Sequence, residues 1–178
     1  MKCFCIGCGS SIKGFDFSRL KGHRAIGTNR ILLDFPDVEY LVFLDRKFYN
    51  MYSKEIDEYK GLIYAPQRAL PEGYYRDNVS IIDTKLRVQA GSLAGGLSGL
   101  TALNIACLMY SEIYLLGYDL YPGHYYLNAV DLYTPQRAEK YNNRFLQLKN
   151  LFPQVKIYNC NPQSAITCFD YVDIESVI

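Results

Sequence analysis

Glycine and serine residues with the spacing of a ligand-binding loop follow the first predicted strand. Residues 3–6 form that short apolar strand, and residues 7–11 read Gly-Cys-Gly-Ser-Ser. Glycines at this point let the backbone approach a phosphate or a ribose, and backbone amides can donate hydrogen bonds to it. The dinucleotide fingerprint Gly-x-Gly-x-x-Gly is incomplete, so a tight turn without a ligand is the alternative. The candidate binding residues here are Gly7, Cys8, Gly9 and Ser11.

A second glycine-rich stretch precedes a predicted apolar helix. Residues 91–99 read Gly-Ser-Leu-Ala-Gly-Gly-Leu-Ser-Gly, and the helix is predicted over residues 98–110. Free amides and the positive end of the dipole at a helix N-terminus favour an anion, which makes Ser98 and Gly99 candidates. The lysine of a P-loop is absent, so ATP hydrolysis of that type is not expected. The alternative is a loop that lets the helix pack close to the sheet.

The densest set of reactive side chains follows the strongest predicted strand, residues 112–116. Ligands of open α/β sheets bind outside the carboxyl ends of strands, where this chain places a carboxylate, an imidazole and four phenols. We expect Asp119 to orient a hydroxyl or a base, and His124 to act as a general base. The alternatives are a turn-capping aspartate and a surface histidine. The candidates in this stretch are Gly117, Asp119, Tyr121, His124, Tyr125 and Tyr126.

Two further polar residues follow predicted strands at their carboxyl ends. Asn29 comes after a strand predicted at residues 24–27, and Asp45 comes after one at residues 40–44. Asp45 equally fits the N-cap of the next helix.

Alternating strands and helices must position these segments. The predicted strands cover residues 3–6, 24–27, 40–44, 62–64, 79–82, 112–116 and 155–158. Helices are predicted over residues 46–59, 98–110 and 134–151, the last of them begun by Thr-Pro. This alternation predicts an α/β fold with a mostly parallel sheet flanked by helices. A length of 178 residues suits a single domain spanning residues 1–178.

Composition limits the partners and the compartment. Nineteen basic and 18 acidic residues give a net charge of +1, so no overall field attracts nucleic acid or anionic lipid. No apolar run reaches the roughly 18–20 residues of a membrane span, and no signal peptide is recognised, so a cytoplasmic protein with reduced cysteines is expected. Cys5 and Cys8 have CxxC spacing without a second close pair, so no metal site is expected. The 17 tyrosines suggest wet pockets or interfaces and leave a homo-oligomer open.

Several short motifs stand in order along most of the chain. Residues 7–11, 15–20 (Phe-Asp-Phe-Ser-Arg-Leu) and 27–29 (Gly-Thr-Asn) form a first group. Residues 98–99 and 112–121 (Glu-Ile-Tyr-Leu-Leu-Gly-Tyr-Asp-Leu-Tyr) form a second, and residues 160–164 a third. This order resembles bacterial family 42 sialyltransferases. It also resembles the looser domain-of-unknown-function 115 relatives of bacteria and phages, which include archaeal hydroxymethylpterin pyrophosphokinases. The phage-type members match through residues 45–49 and 169–178.

The resemblance implies a Rossmann-like nucleotide-binding fold and a CMP-linked sugar donor used without a metal or cofactor. Tyr121, with Tyr125 or Tyr126, would donate hydrogen bonds to the leaving phosphate. Cys8 stands where the family has an asparagine, and His124 comes earlier than the family's catalytic histidine. By position, the residues that match the family's nucleotide contacts are Gly7, Gly9, Asn29, Ser98, Gly99, Gly117 and Tyr121.

Three functions are therefore open, and a nucleotide or nucleotide-sugar is the expected partner. The first is a metal-independent glycosyltransferase of the sialyltransferase type. The second is a pterin-type pyrophosphokinase that uses magnesium and a nucleoside triphosphate, with Asp45 and Asp119 as the carboxylates near the metal. The third is a non-catalytic nucleotide-binding module.

Overall fold

Eight parallel strands form the main sheet of the protein. The structure, a computed structural model, describes residues 1–120 and 134–178. Within those residues the sheet has the order β10-β9-β8-β1-β2-β3-β4-β5, and β6 and β7 pair separately. The strands are β1 (Lys2–Ile6), β2 (Ala25–Thr28), β3 (Tyr40–Val42), β4 (Leu62–Ala65), β5 (Val79–Ile81), β6 (Thr84–Lys85), β7 (Leu93–Ala94), β8 (Glu112–Leu116), β9 (Lys156–Asn159) and β10 (Asp170–Tyr171).

Helices cover both faces of this sheet. The longest begins where Thr134 accepts a hydrogen bond from the backbone amide of Arg137 at 3.3 Å, with Pro135 in the first helical position. The α-helices are α1 (Ile31–Asp34), α2 (Arg46–Met51), α3 (Ser53–Glu58), α4 (Ser98–Met109) and α5 (Pro135–Leu151). Single 3₁₀ turns occur at Ser10–Ile12, Phe17–Leu20, Gln67–Ala69 and Ile174–Ser176.

Side chains of β1 alternate between two hydrophobic cores. Cys3 and Cys5 pack in the core that contains α4 and part of α5, whereas Phe4 and Ile6 pack in the core that contains residues of α1 and α3. A parallel sheet covered on both faces needs apolar residues at consecutive positions, which is why these strands read as continuous apolar runs. The predicted α/β fold with a mostly parallel sheet flanked by helices is confirmed.

The order in which the chain adds strands to the sheet changes side between β1 and β8. From β1 it adds β2 to β5 on one side, and it then returns to place β8 on the other side of β1. Such a switch point leaves a crevice outside the carboxyl ends of the two strands, which is where open α/β sheets bind ligands. Ile6 is paired with Leu116, so the loops that start at residues 7 and 117 begin side by side.

One predicted helix is two helices. The continuous helix predicted at residues 46–59 is wrong, because the backbone leaves helical geometry at Tyr52, with φ −129° and ψ 32°. The Tyr52 ring lies 5.2 Å from the Phe48 ring and 5.3 Å from the Arg30 guanidinium. No glycine or proline marks this break, so tertiary packing decides it.

Two further expectations concern membrane-spanning helices and the number of domains. No helix within residues 1–120 and 134–178 is long and apolar enough to cross a membrane. The assignment of all 178 residues to one domain stays a prediction.

Candidate functional site

Two glycine loops pack backbone to backbone at the switch point. The amide of Gly7 donates to the carbonyl of Leu116 at 2.7 Å, and the amide of Gly9 donates to that of Gly117 at 2.9 Å. A Cβ at residue 7 would lie 2.6 Å from the Gly117 oxygen, and Gly117 itself has a φ of 67°. Only glycine permits this approach. These two amides serve the loop pair, so the two glycines allow close packing of the loops and do not offer these amides to a ligand.

Asp119 joins the loops that follow three strands. Its buried carboxylate accepts hydrogen bonds from the Ser11 amide at 2.8 Å, the Ser11 hydroxyl at 2.5 Å and the Asn161 side-chain amide at 2.9 Å. Ser11 follows β1, Asp119 follows β8 and Asn161 follows β9. A carboxylate with three donors is held firmly, so Asp119 fixes the relative positions of these loops. The hydroxyl that Asp119 contacts is that of Ser11, and its expected part in the chemistry stays a prediction.

The loop after β9 supports the site and contributes residues that sequence reasoning did not select. Asn159 donates to the Tyr118 carbonyl at 3.2 Å, and the Ser164 hydroxyl donates to the same oxygen at 2.6 Å. The Ala165 amide donates to the Asp119 carbonyl at 2.8 Å. The short motif at residues 160–164 was the available signal for this loop. It holds the backbone of residues 118–119 in place.

Asn29 and Ser98 meet across the crevice. Asn29 has a φ of 49°, a left-handed conformation that asparagine tolerates better than most residues, and its amide donates to the Val42 carbonyl at 3.1 Å. The Ser98 hydroxyl donates to the Asn29 side-chain oxygen at 3.3 Å. Two residues that are 69 positions apart in sequence therefore share one polar contact.

The N-terminus of α4 opens on the same crevice. Its N-cap residue, Leu97, provides no side-chain cap, so the first amides of the helix lack that partner. Tyr118 packs beneath this end: its hydroxyl donates to the Gly99 carbonyl at 2.9 Å, and a Cβ at residue 99 would lie 3.2 Å from the ring. Burial raises the pKa of Tyr118 well above its usual value, so the phenol stays neutral. The helix end can accept an anion.

Cys8 is a buried thiol in this crevice. Its sulfur donates to the Thr28 carbonyl at 3.3 Å, and burial raises the pKa of the thiol to about 12. Cys8 therefore acts as a neutral donor to the protein and not as a thiolate. The part of the chain that the structure describes contains no group of three or more His, Cys, Asp or Glu side chains that could hold a metal ion.

These features enclose a cavity of about 120 Å³ outside the carboxyl ends of β1, β2 and β8. Ser11 lies beside this cavity and is hydrogen-bonded to Asp119. Tyr121, His124, Tyr125 and Tyr126 lie outside the described residues. The expected site residues that line the cavity are Gly7, Cys8, Gly9, Asn29, Ser98, Gly99, Gly117 and Asp119. The lining residues that were not selected from the sequence are Thr28, Leu97, Tyr118, Leu120, Phe145 and Ile166.

Solved structures with a similar fold include sialyltransferases. The chain superimposes on sialyltransferase CST-II, solved in complex with a trisaccharide acceptor and CMP, with a TM-score of 0.60 and 18% identity. A variant of α-2,3/8-sialyltransferase CstII gives a TM-score of 0.56 at the same identity. Each alignment covers 97% of this chain and 86% of the other. The two likenesses support a sialyltransferase-like relationship at the level of the fold. No protein-family model and no curated protein matches the sequence.

Proposed function

We propose that this protein is a glycosyltransferase that binds a nucleotide-activated sugar, CMP-linked, in the cavity at the switch point. One observation carries the proposal: eight residues chosen from the sequence, seven as nucleotide contacts and Asp119 as a catalytic residue, line a single cavity and come from four separate segments. The strands β8, β1 and β2 are neighbours, so their carboxyl ends and the start of α4 meet at the edge where open α/β sheets bind ligands. The fold shared with CST-II, which was solved with CMP, supports the same substrate class.

The charge of the cavity suits the phosphate of a nucleoside monophosphate. The positive end of α4 attracts the phosphate, and Asn29 and Ser98 supply polar side-chain groups beside it. The glycines after β1 and β8 let these two loops pack closely, because a Cβ at residue 7 or residue 9 would lie 2.6 Å from the Gly117 oxygen. The phosphate of a nucleotide therefore has an anion-binding end in a cavity that the packed loops help to form.

Residues 121–126 supply the proposed reacting groups. Tyr121 follows Leu120, which lines the cavity, and His124, Tyr125 and Tyr126 come soon after. In this mechanism His124 takes the proton from an acceptor hydroxyl as that oxygen bonds to the anomeric carbon of the sugar. The bond from that carbon to the phosphate oxygen breaks, and phenol hydroxyls stabilise the charge on the departing CMP.

The position of the carboxylates disfavours the pyrophosphokinase alternative. Asp45 follows β3 and Asp119 follows β8, and three strand spacings separate those strands, or about 14 Å. A magnesium ion shared by both would need oxygens about 2.1 Å from it. The Asp119 oxygens are also occupied by Ser11 and Asn161.

Thermal unfolding with and without ligands tests the proposal. We expect millimolar CMP to raise the melting temperature equally with magnesium and with EDTA, because binding to the folded state stabilises it. His124→Ala should keep this shift and lose transfer from a CMP-sugar donor. A shift that requires a nucleoside triphosphate and magnesium would favour the pyrophosphokinase, and binding without turnover would favour the non-catalytic module. The absence of any shift with nucleotides would refute the proposal.

A further inference from the structure

A buried arginine from α5 holds the turn that leads into α4. Arg144 is 9% exposed, and its Nη2 donates to the Gly95 carbonyl at 2.6 Å. Its Nη1 lies 2.8 Å from the point that a Cβ of Gly96 would occupy, and Gly96 has a φ of 84°. The neighbouring Tyr141 donates to the Gly96 carbonyl at 3.4 Å. Two side chains of α5 therefore clamp one glycine turn.

Among the described residues, no acidic side chain forms an ion pair with Arg144. The ion pairs of the described residues join Arg19 to Glu175, Arg24 to Glu39 and Lys85 to Asp83. Arg144 instead faces the Tyr141 ring, 5.8 Å from its centre, and its buried Nε has no hydrogen-bond partner. Burying a cation without a counter-ion costs desolvation free energy. A fold that buries one therefore needs another group that offsets this cost.

The position of the Arg144 guanidinium indicates which kind of ligand could offset its positive charge. The clamped turn ends at Leu97, the N-cap of α4, whose first amides face the cavity. The guanidinium and the N-terminal end of α4 are both positive, so each raises the free-energy cost of burying the other until an anion binds. Guanidinium groups stay charged at every pH at which the protein folds.

We propose that Arg144 is a positioning residue: it fixes the turn before α4 and adds the positive charge that selects a phosphate-bearing ligand there. This inference rests on the nucleotide site proposed above. Arg144 does not line the cavity among the described residues, so it acts through the turn and through its field. The ligand class it selects is a nucleoside phosphate over the corresponding nucleoside.

Binding of CMP and of cytidine to three variants tests this role. Arg144→Met should weaken CMP binding about tenfold, because a positive charge near the phosphate end is lost, and change cytidine binding less than twofold. Arg144→Lys should keep most of the preference for CMP. Arg137→Met is the matched control. Arg137 belongs to the same helix, and its guanidinium lies 5.8 Å from the centre of the same Tyr141 ring, but its side chain is exposed. This variant should behave as the wild type.

Other outcomes have equally definite meanings. Equal losses for CMP and cytidine, or no loss, would overturn the inference, because a purely structural arginine cannot distinguish the two ligands. If Arg144→Met does not fold, Arg144→Gln replaces it, since glutamine keeps a donor for the Gly95 carbonyl without the charge. If the wild type binds inorganic pyrophosphate in an Arg144-dependent way but not CMP, the nucleotide proposal fails, and of this inference only the selection of a phosphate group by Arg144 stands. If neither anion binds, both fail.

Discussion

Asp119 and Ser11 join the loops after β8 and β1 through two hydrogen bonds, one from the Ser11 amide and one from its hydroxyl. The two strands are neighbours, so this contact closes the crevice on the side of the sheet where the glycine loops meet. Asn161 adds a third donor from the loop after β9. The shape of the cavity therefore depends on one carboxylate.

Asp119→Asn should lower the free energy of unfolding by about 2–3 kcal/mol, because a carboxamide cannot accept from all three donors. Its NH₂ group would face the NH₂ of Asn161 or a donor of Ser11. Urea unfolding measures the loss. Ser11→Ala, which removes one donor and leaves two, should cost about 1 kcal/mol. Equal stability of the two variants would contradict the role given to the carboxylate.

Gly9→Ala should destabilise the protein by about 1–3 kcal/mol and abolish nucleotide binding. The added methyl group would collide with the Asp119 carboxylate and lie 2.6 Å from the Gly117 oxygen, so the two loops must separate. Melting temperature and CMP titration report the two effects.

The control is Gly14→Ala, where a Cβ meets nothing within 4 Å but φ is 82°. That variant should lose about 1–2 kcal/mol through backbone strain and bind CMP as the wild type does. Gly9→Ala with normal CMP affinity would show that the loop pair does not shape the site.

Asn29→Gly should weaken CMP binding roughly tenfold while leaving stability nearly unchanged. Glycine accepts the left-handed backbone at φ 49° at least as well as asparagine, so only the side chain and its contact with Ser98 are lost. Calorimetry on Asn29→Gly, Ser98→Ala and the double variant forms a mutant cycle. Additive losses in the cycle would argue against a shared contact to the nucleotide.

Stability should fall at alkaline pH because buried thiols resist ionisation in the folded state. Burial raises the pKa of Cys107 to about 12, and unfolded cysteine ionises near pH 8.5. The stabilisation is complete below about pH 8.5 and is lost as pH rises from there toward 12, by up to about 1.4 kcal/mol per pH unit for each such thiol.

Urea unfolding of the wild type and of Cys107→Ala at pH 8, 9 and 10 measures this effect. Alanine does not titrate, so the variant should lose less stability per pH unit than the wild type. Parallel slopes for the two proteins would mean that Cys107 ionises as easily in the fold as outside it.

Local patterns predicted the elements that carry their own signals. The apolar run at residues 113–116, preceded by Glu112, predicted β8 with its observed ends, and the Thr134-Pro135 pair predicted the start of α5. The break at Tyr52 depends on the Arg30 and Phe48 side chains that contact it, so no local pattern announces it. Strands of two residues, such as β6 and β10, are too short for any periodicity to show.

The residues of the site also divide into those that local sequence can predict and those that it cannot. Glycine and asparagine at strand ends, such as Gly9 and Asn29, have conformational uses that can be inferred from residue type and position. Arg144 and Asn161 could not be selected, because an arginine in a helix or an asparagine in a loop is normally a solvent-exposed residue. Their roles arise only when distant segments come together, as the contacts of Arg144 with Gly95 and of Asn161 with Asp119 show.

The placement of β8 beside β1 has a consequence for how the protein folds. The Ser11–Asp119 contact spans 108 residues of sequence, and the Asn161–Asp119 contact spans 42 more. Closing such long loops costs chain entropy before any contact repays it, so this part of the structure should form late and slowly. During synthesis, residues 7–11 must wait until residues 112–119 have left the ribosome, and in that interval β1 has one unpaired edge.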